Sequence, residues 1–230
     1  MTLGDSGVGK SCLIKRYCEG RFIPKYIPTI GIDYGVKLVT VNPVKLEEER
    51  AKGPKGAAEG SNSSAAWTAR APTAVRVNFW DVAGGAESLE IRNEFYAPTQ
   101  GILLIYNVGD LKSFESLDRW VEEMNRFISI PLDSGGAERR TSVEGMMATG
   151  NTPAGREVGA VSDQSPVVFL CGNKADGGTQ RAVTEEQGRR WAAAHGGMEF
   201  FETSASSDLN VATMMERLFH RVIARFMSPK

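Results

Sequence analysis

Gly4-Asp5-Ser6-Gly7-Val8-Gly9-Lys10-Ser11 fits the pattern G-x-x-x-x-G-K-[ST] at every fixed position. Residues of these types at this spacing can hold a phosphate group. Glycine lets the backbone curl so that successive N–H groups point into one concavity, and no Cβ blocks the phosphate oxygens. A helix starting directly afterwards turns its free N–H groups and its positive end toward the anion. Lys10 adds a point charge for the β- and γ-phosphates, and the Ser11 hydroxyl is a ligand for Mg²⁺. The candidate cradle is therefore Asp5, Ser6, Gly7, Val8, Gly9, Lys10, Ser11 and Cys12. The same letters also spell a glycine-rich turn before an ordinary helix, so the rest of the chain has to decide.

Three later stretches can finish such a site. Each is expected at the carboxyl end of a strand, where ligands bind in open α/β sheets. In Asp81-Val82-Ala83-Gly84 the aspartate can hold Mg²⁺ through water, and the Gly84 N–H can meet a γ-phosphate if the loop folds over it. In Asn173-Lys174-Ala175-Asp176 the Asp176 carboxylate can accept from the N1–H and exocyclic amine of guanine, with the Lys174 stem laid along the base. Adenine presents no such donor pair and would leave a buried charge unpaired. In Ser204-Ala205 a backbone N–H can donate to the guanine O6. Taken singly, the last two are ordinary polar turns. Taken in order behind the phosphate loop they form a set, and a P-loop kinase would have no use for the first of them.

The elements that must position these residues alternate. A helix is expected at residues 11–17, with Lys15 and Arg16 outward, broken at Glu19-Gly20-Arg21. Residues 22–31 hold two prolines and read as a loop. Strands are expected at 34–42 and 75–81 from their alternation, and at 101–107 and 167–171 as continuous apolar runs of the kind buried on both faces. A short strand is expected at 199–203. Helices are expected at 89–96, at 113–130 with Phe114, Leu117, Trp120, Val121, Met124 and Phe127 on one stripe, at 184–195 with Thr184 as N-cap, and at 208–227. Strands alternating with helices imply an α/β fold with a mostly parallel sheet covered on both faces. Only Met1-Thr2-Leu3 precedes the phosphate loop, where a buried strand of about five residues is usual. The expectation is a truncated amino end and a first strand largely missing. Residues 43–74 and 131–165 are poor in apolar mass and read as disordered insertions in a single domain spanning 1–230.

Bulk properties narrow the classes further. The 230 residues are 41% hydrophobic and 24% charged, as in an ordinary globular chain. A net charge of −1 gives no pull toward nucleic acid or anionic membrane. Cys12, Cys18 and Cys171 show no ligand-like spacing, which suggests reduced thiols in a cytosolic setting. No cysteine stands near Lys230, so no direct lipid anchor is expected.

On these four stretches the chain resembles a Ras-superfamily small GTPase of the Rab branch, over everything outside the two insertions and the short amino strand. The resemblance implies the three-layer P-loop NTPase fold, GTP or GDP with Mg²⁺ as ligands, and a monomeric switch in signal transduction or vesicle trafficking. It implies effectors and regulators docking on residues 27–33 and 84–96, and a cytoplasmic protein recruited elsewhere by a partner. Thr29-Ile30-Gly31-Ile32-Asp33 resembles the family's switch I, so Thr29 is implied as a ligand of Mg²⁺ and the γ-phosphate. Lys10, Thr29 and Gly84 are the implied catalytic set, Ser11, Thr29 and Asp81 the metal set, and Phe22 the aromatic edge against guanine. More narrowly, Lys15-Arg16-Tyr17-Cys18, Tyr26, residues 30–36 and Arg92-Asn93-Glu94-Phe95-Tyr96 resemble the RJL subfamily, Rab-like proteins some of which carry a carboxyl-terminal DnaJ domain. No such domain is expected after the closing helix here.

One departure has a chemical consequence. The family pattern is D-x-A-G-Q-E, and Gly85-Ala86 stands in the Gln-Glu places. Gly85 cannot orient an attacking water, which should slow hydrolysis by orders of magnitude unless another residue or a partner supplies the group. RJL proteins also lack this glutamine. The alternative reading is a nucleotide-binding scaffold that does not hydrolyse GTP.

Overall fold

The computed structural model describes residues 1–41, 73–128, 165–178 and 180–226. Among the described residues, six strands form one sheet: β1 (Thr2–Leu3), β2 (Ile32–Val41), β3 (Thr73–Val82), β4 (Gly101–Asn107), β5 (Val167–Asn173) and β6 (Glu199–Glu202). Their order is β2-β3-β1-β4-β5-β6. β2 runs antiparallel to β3 and every other pairing is parallel. The helices are α1 (Lys10–Glu19), α2 (Leu89–Arg92), α3 (Leu111–Glu115), α4 (Leu117–Ile128), α5 (Glu185–Ala194) and α6 (Val211–Phe226).

Alternation along the central strands splits the core into two layers. Leu103 and Ile105 of β4 pack with α1 and α6 through Leu13, Ile14, Met214 and Leu218. Ile102, Leu104 and Tyr106 point the other way and pack with α4 and α5 through Leu117, Trp120, Met124 and Ala192. Each layer removes a helix stripe and a sheet face from water together, the dominant favourable term for such a domain. β1 has only two residues, yet it sits at the centre. Thr2 lies opposite Asp81 on one side and Leu103 on the other. It thereby delivers the phosphate loop between the ends of β3 and β4.

Three helix expectations change in detail. The run at 113–130 is two helices, α3 and α4, separated at Ser116. The Ser116 hydroxyl donates to Asp5 Oδ2 at 2.5 Å, which ties the joint to the phosphate loop. The run at 89–96 is α-helical only over Leu89–Arg92, with 3₁₀ turns at Ala86–Ser88 and Asn93–Phe95 on either side. The closing helix starts at Val211, because Asp208 and Asn210 adopt left-handed φ values of 64° and 54° before it. At α5 the Thr184 cap forms as expected, as a full capping box with Gln187. Of the two insertions, residues 43–72 and 131–164 lie outside the described residues, while Thr73 and Ala74 belong to β3.

Candidate functional site

The phosphate loop leaves β1 and enters α1 at Gly9, whose φ of 102° favours glycine. A Cβ there would also collide with the Asn173 amide. Lys10 is only 6% exposed, and its Nζ donates to the carbonyls of Gly4 at 2.8 Å and Asp5 at 3.0 Å. Burial pulls its pKa down to about 8, against the attraction of Asp81 and Asp5. Ser6 and Gly7 form the exposed rim of the loop, and Val8 is buried beneath it. Cys12 follows on α1, half-buried against the core, with its thiol pKa raised by burial.

Three oxygens from three segments meet beside Lys10. Ser11 Oγ lies 3.0 Å from Thr29 Oγ1, and Thr29 Oγ1 donates to Asp81 Oδ2 at 3.4 Å. The other carboxylate oxygen, Asp81 Oδ1, accepts from Thr2 Oγ1 at 3.2 Å. Asp81 is 4% exposed; burial raises its pKa, opposed by Ser11, Lys10 and Thr2. Two hydroxyls and one carboxylate form the hard-oxygen set that suits Mg²⁺ completed by phosphate and water. The residues present therefore fit the implied metal.

Gly84 rests directly on the phosphate loop. A Cβ at this position would lie 2.6 Å from Gly4 O, Asp5 C and Ser6 N. At Gly85 a Cβ would instead meet the carboxyl of the exposed Glu87, which folds back over it.

The other end of the site is built from β5 and the turn after β6. Asn173 is 1% exposed and ends β5 instead of following it. Its Nδ2 donates to Val8 O at 2.8 Å, and its Oδ1 accepts from Thr203 Oγ1 at 3.2 Å. One side chain thus joins the phosphate loop to both later stretches. Ala175 N donates to Thr203 O at 3.0 Å, which sets the two base-side turns side by side. Lys174 adopts a left-handed φ of 67°, and Asp176 is exposed at the tip. Ser204 and Ala205 are buried, and the Ser204 Oγ accepts from the N–H groups of Ser206 and Ser207. Phe22 is half-buried against the α1 side of the core.

Arg16 corrects an expectation. It does not point outward but clamps the last turn, donating through Nε to Ala205 O at 2.7 Å and through Nη2 to Ser206 O at 2.9 Å. The sequence showed only a basic residue on a helix, with nothing to mark two carbonyl partners nearly two hundred residues away. The Asp5 carboxylate is likewise engaged elsewhere: it accepts from Ser116, from Arg119 at 2.8 Å and from Trp120 Nε1 at 2.8 Å. Its backbone carbonyl accepts from Lys10 Nζ at 3.0 Å. Arg92, Trp120, Glu123 and Thr203 also support the site and were not singled out for it. A faint signal existed for two of them, since Trp120 and Glu123 stand one helical turn apart on α4.

Comparison with known proteins bears on this arrangement. The Ras family signature matches residues 59–134 and 153–224. The chain belongs to the Ras family. A second signature, Ras of Complex, Roc, domain of DAPkinase, matches residues 1–53. The chain is 34% identical over 223 residues to "DnaJ homolog subfamily C member 27" of Danio rerio, covering 96% of this chain and 60% of that protein. The corresponding Gallus gallus protein is 34% identical over 224 residues, and "DnaJ homolog subfamily C member 27-B" of Xenopus laevis 33% over 224. In both cases 97% of this chain and 60% of the relative are covered. Ras-family membership makes this a small GTPase domain of the class that binds guanine nucleotide. No helix among the described residues is long and apolar enough to cross a membrane.

Proposed function

We propose that the chain is a Mg²⁺-dependent guanine-nucleotide switch of the RJL type with slow intrinsic hydrolysis. The observation that carries this reading is the convergence of Ser11, Thr29 and Asp81 beside the buried Lys10. Lys10 holds the β- and γ-phosphates, and Ser11, Thr29 and Asp81 hold the metal, which when bound spreads phosphate charge. Gly84 offers its N–H to the γ-phosphate. Asn173 fixes the base loop to the phosphate loop; Lys174, Asp176 and Ala205 read guanine. The γ-phosphate orders Thr29, and a partner protein reads residues 27–33 and 84–96. The relatives named as DnaJ homologues support the narrower RJL placement. Slow hydrolysis follows from Gly85, which has no side chain to orient water.

Single-turnover GTP hydrolysis of the wild type and Gly85→Gln tests this. The nearest atoms to the new Cβ belong to the flexible end of Glu87, which can swing aside. The variant should hydrolyse faster by at least about tenfold, since a positioned water is worth orders of magnitude. Equal rates would remove Gly85 as the cause. GTP retained without any release of phosphate would make the chain a binding scaffold.

A further inference from the structure

We propose that Arg92 is the positioning residue that presents Gly84 to the γ-phosphate and so sets the preference for GTP over GDP. The inference rests on the switch reading above. Arg92 Nη1 donates to Ala83 O at 3.2 Å and to Gly85 O at 2.6 Å, the carbonyls on either side of Gly84. A single guanidinium nitrogen therefore brackets the glycine at which an added Cβ would strike the phosphate-loop backbone. Holding the Ala83 carbonyl fixes the Ala83–Gly84 peptide plane and with it the direction of the Gly84 N–H, which points opposite to that carbonyl, while the bond to Gly85 O anchors the chain one residue further on.

The bracket is itself held from three sides. Glu123 of α4 takes Arg92 in a two-point grip, Nε to Oε1 at 2.5 Å and Nη2 to Oε2 at 2.7 Å. Tyr96 donates its hydroxyl to the same Glu123 Oε1 at 2.6 Å. The guanidinium also lies 4.7 Å above the Trp120 ring, whose Nε1–H holds Asp5 of the phosphate loop. Arg92 is 3% exposed, so this geometry is not a solvated surface pair. Burial alone would raise the Glu123 pKa, but its bonds to Arg92 and Tyr96 outweigh that and leave it lowered. The planar fork explains why arginine is needed: lysine would offer a point charge and could not grip the carboxylate and both carbonyls together.

GDP carries no γ-phosphate for Gly84 to meet. Loosening the bracket should weaken GTP and leave GDP alone. The test measures dissociation constants of the full chain for GDP and for the non-hydrolysable analogue guanosine 5′-(β,γ-imido)triphosphate, with Mg²⁺, in Glu123→Gln and Arg92→Lys. Melting temperatures are recorded alongside. The analogue should weaken about tenfold, the scale of one hydrogen bond to a charged group, with GDP binding within about twofold of wild type. A role confined to stability would lower the melting temperature and weaken both nucleotides alike. Either that outcome or an unchanged affinity ratio in both variants would overturn the proposal. Failure of the wild type to bind guanine nucleotide would overturn the parent reading and this inference with it.

Discussion

The two loops that meet over the phosphate end are built in opposite ways. Residues 27–33 lie open: Ile30 is 93% exposed, Ile27 60% and nearby Tyr26 63%. They are tied down through the Thr29 hydroxyl and through Gly31 O, which accepts Ala83 N at 2.8 Å. Residues 83–96 instead hang from a buried guanidinium, with Trp80 packed between the tilted rings of Tyr34 and Phe95 at 4.8 and 4.7 Å. A segment held outside β2 by one hydroxyl and one backbone bond costs little to release and can respond to a ligand. A segment pinned by a desolvated ion pair is set in advance. Under the proposed function the two loops have separate jobs: the first would report which nucleotide is bound, and the second would hold Gly84 ready.

Breaking each loop's anchor should show the contrast. Arg92→Ala strands Glu123 without its cation and should cost about 3–5 kcal/mol in chemical denaturation. Thr29→Ala, which removes an exposed-side anchor, should change stability by less than about 0.5 kcal/mol. Roughly equal losses would erase the distinction. Gly84→Ala forces a methyl group onto the phosphate-loop backbone, where no flexible side chain can yield. It should cost about 1–3 kcal/mol, the range for overpacking, measured by thermal melting.

Protons sharpen the comparison at the phosphate end. Lys10 titrates at about 8 in the folded chain against an ordinary 10.5. Between those values the unfolded chain holds a proton that the folded one has released, so stability should rise as pH climbs from about 8 to 10.5. Phosphate binding favours the charged amine and should draw a proton back. Calorimetry of nucleotide binding near pH 9, in two buffers of different ionisation heat, should therefore show proton uptake, and near pH 6 no uptake from Lys10. The smallest expected effect on the fold is Ile30→Asp, within about 0.5 kcal/mol of wild type because the side chain is solvated. Its consequence should appear only in capture of a partner by the triphosphate-bound protein.

The parts legible in sequence were those with local causes. β4 was read to the residue because a seven-residue apolar run leaves little choice, and the Thr184 cap because its hydroxyl and Gln187 are three positions apart. The curled backbone before α1 was legible because Gly4, Gly7 and Gly9 supply the positive φ values it needs. The break at Ser116 was not, since its hydroxyl bonds both Ser113 O one turn back and Asp5, 111 residues away, and no local pattern marks the second. Arg16 and Arg92 were missed for the same reason. Their partners are mostly backbone carbonyls, which every residue carries and no sequence pattern marks. Sequence alone points Asn173 toward the base, and the structure adds side-chain bonds to Val8 and Thr203, again partners distant in sequence.

The central claim is one pocket that grips phosphates through Lys10 and distinguishes guanine through Asp176. Its most direct test is equilibrium binding of GDP and ADP to the nucleotide-stripped protein with Mg²⁺. GDP should bind more tightly by at least about a thousandfold, because adenine leaves the Asp176 carboxylate unpaired. ADP held as tightly as GDP would contradict the account.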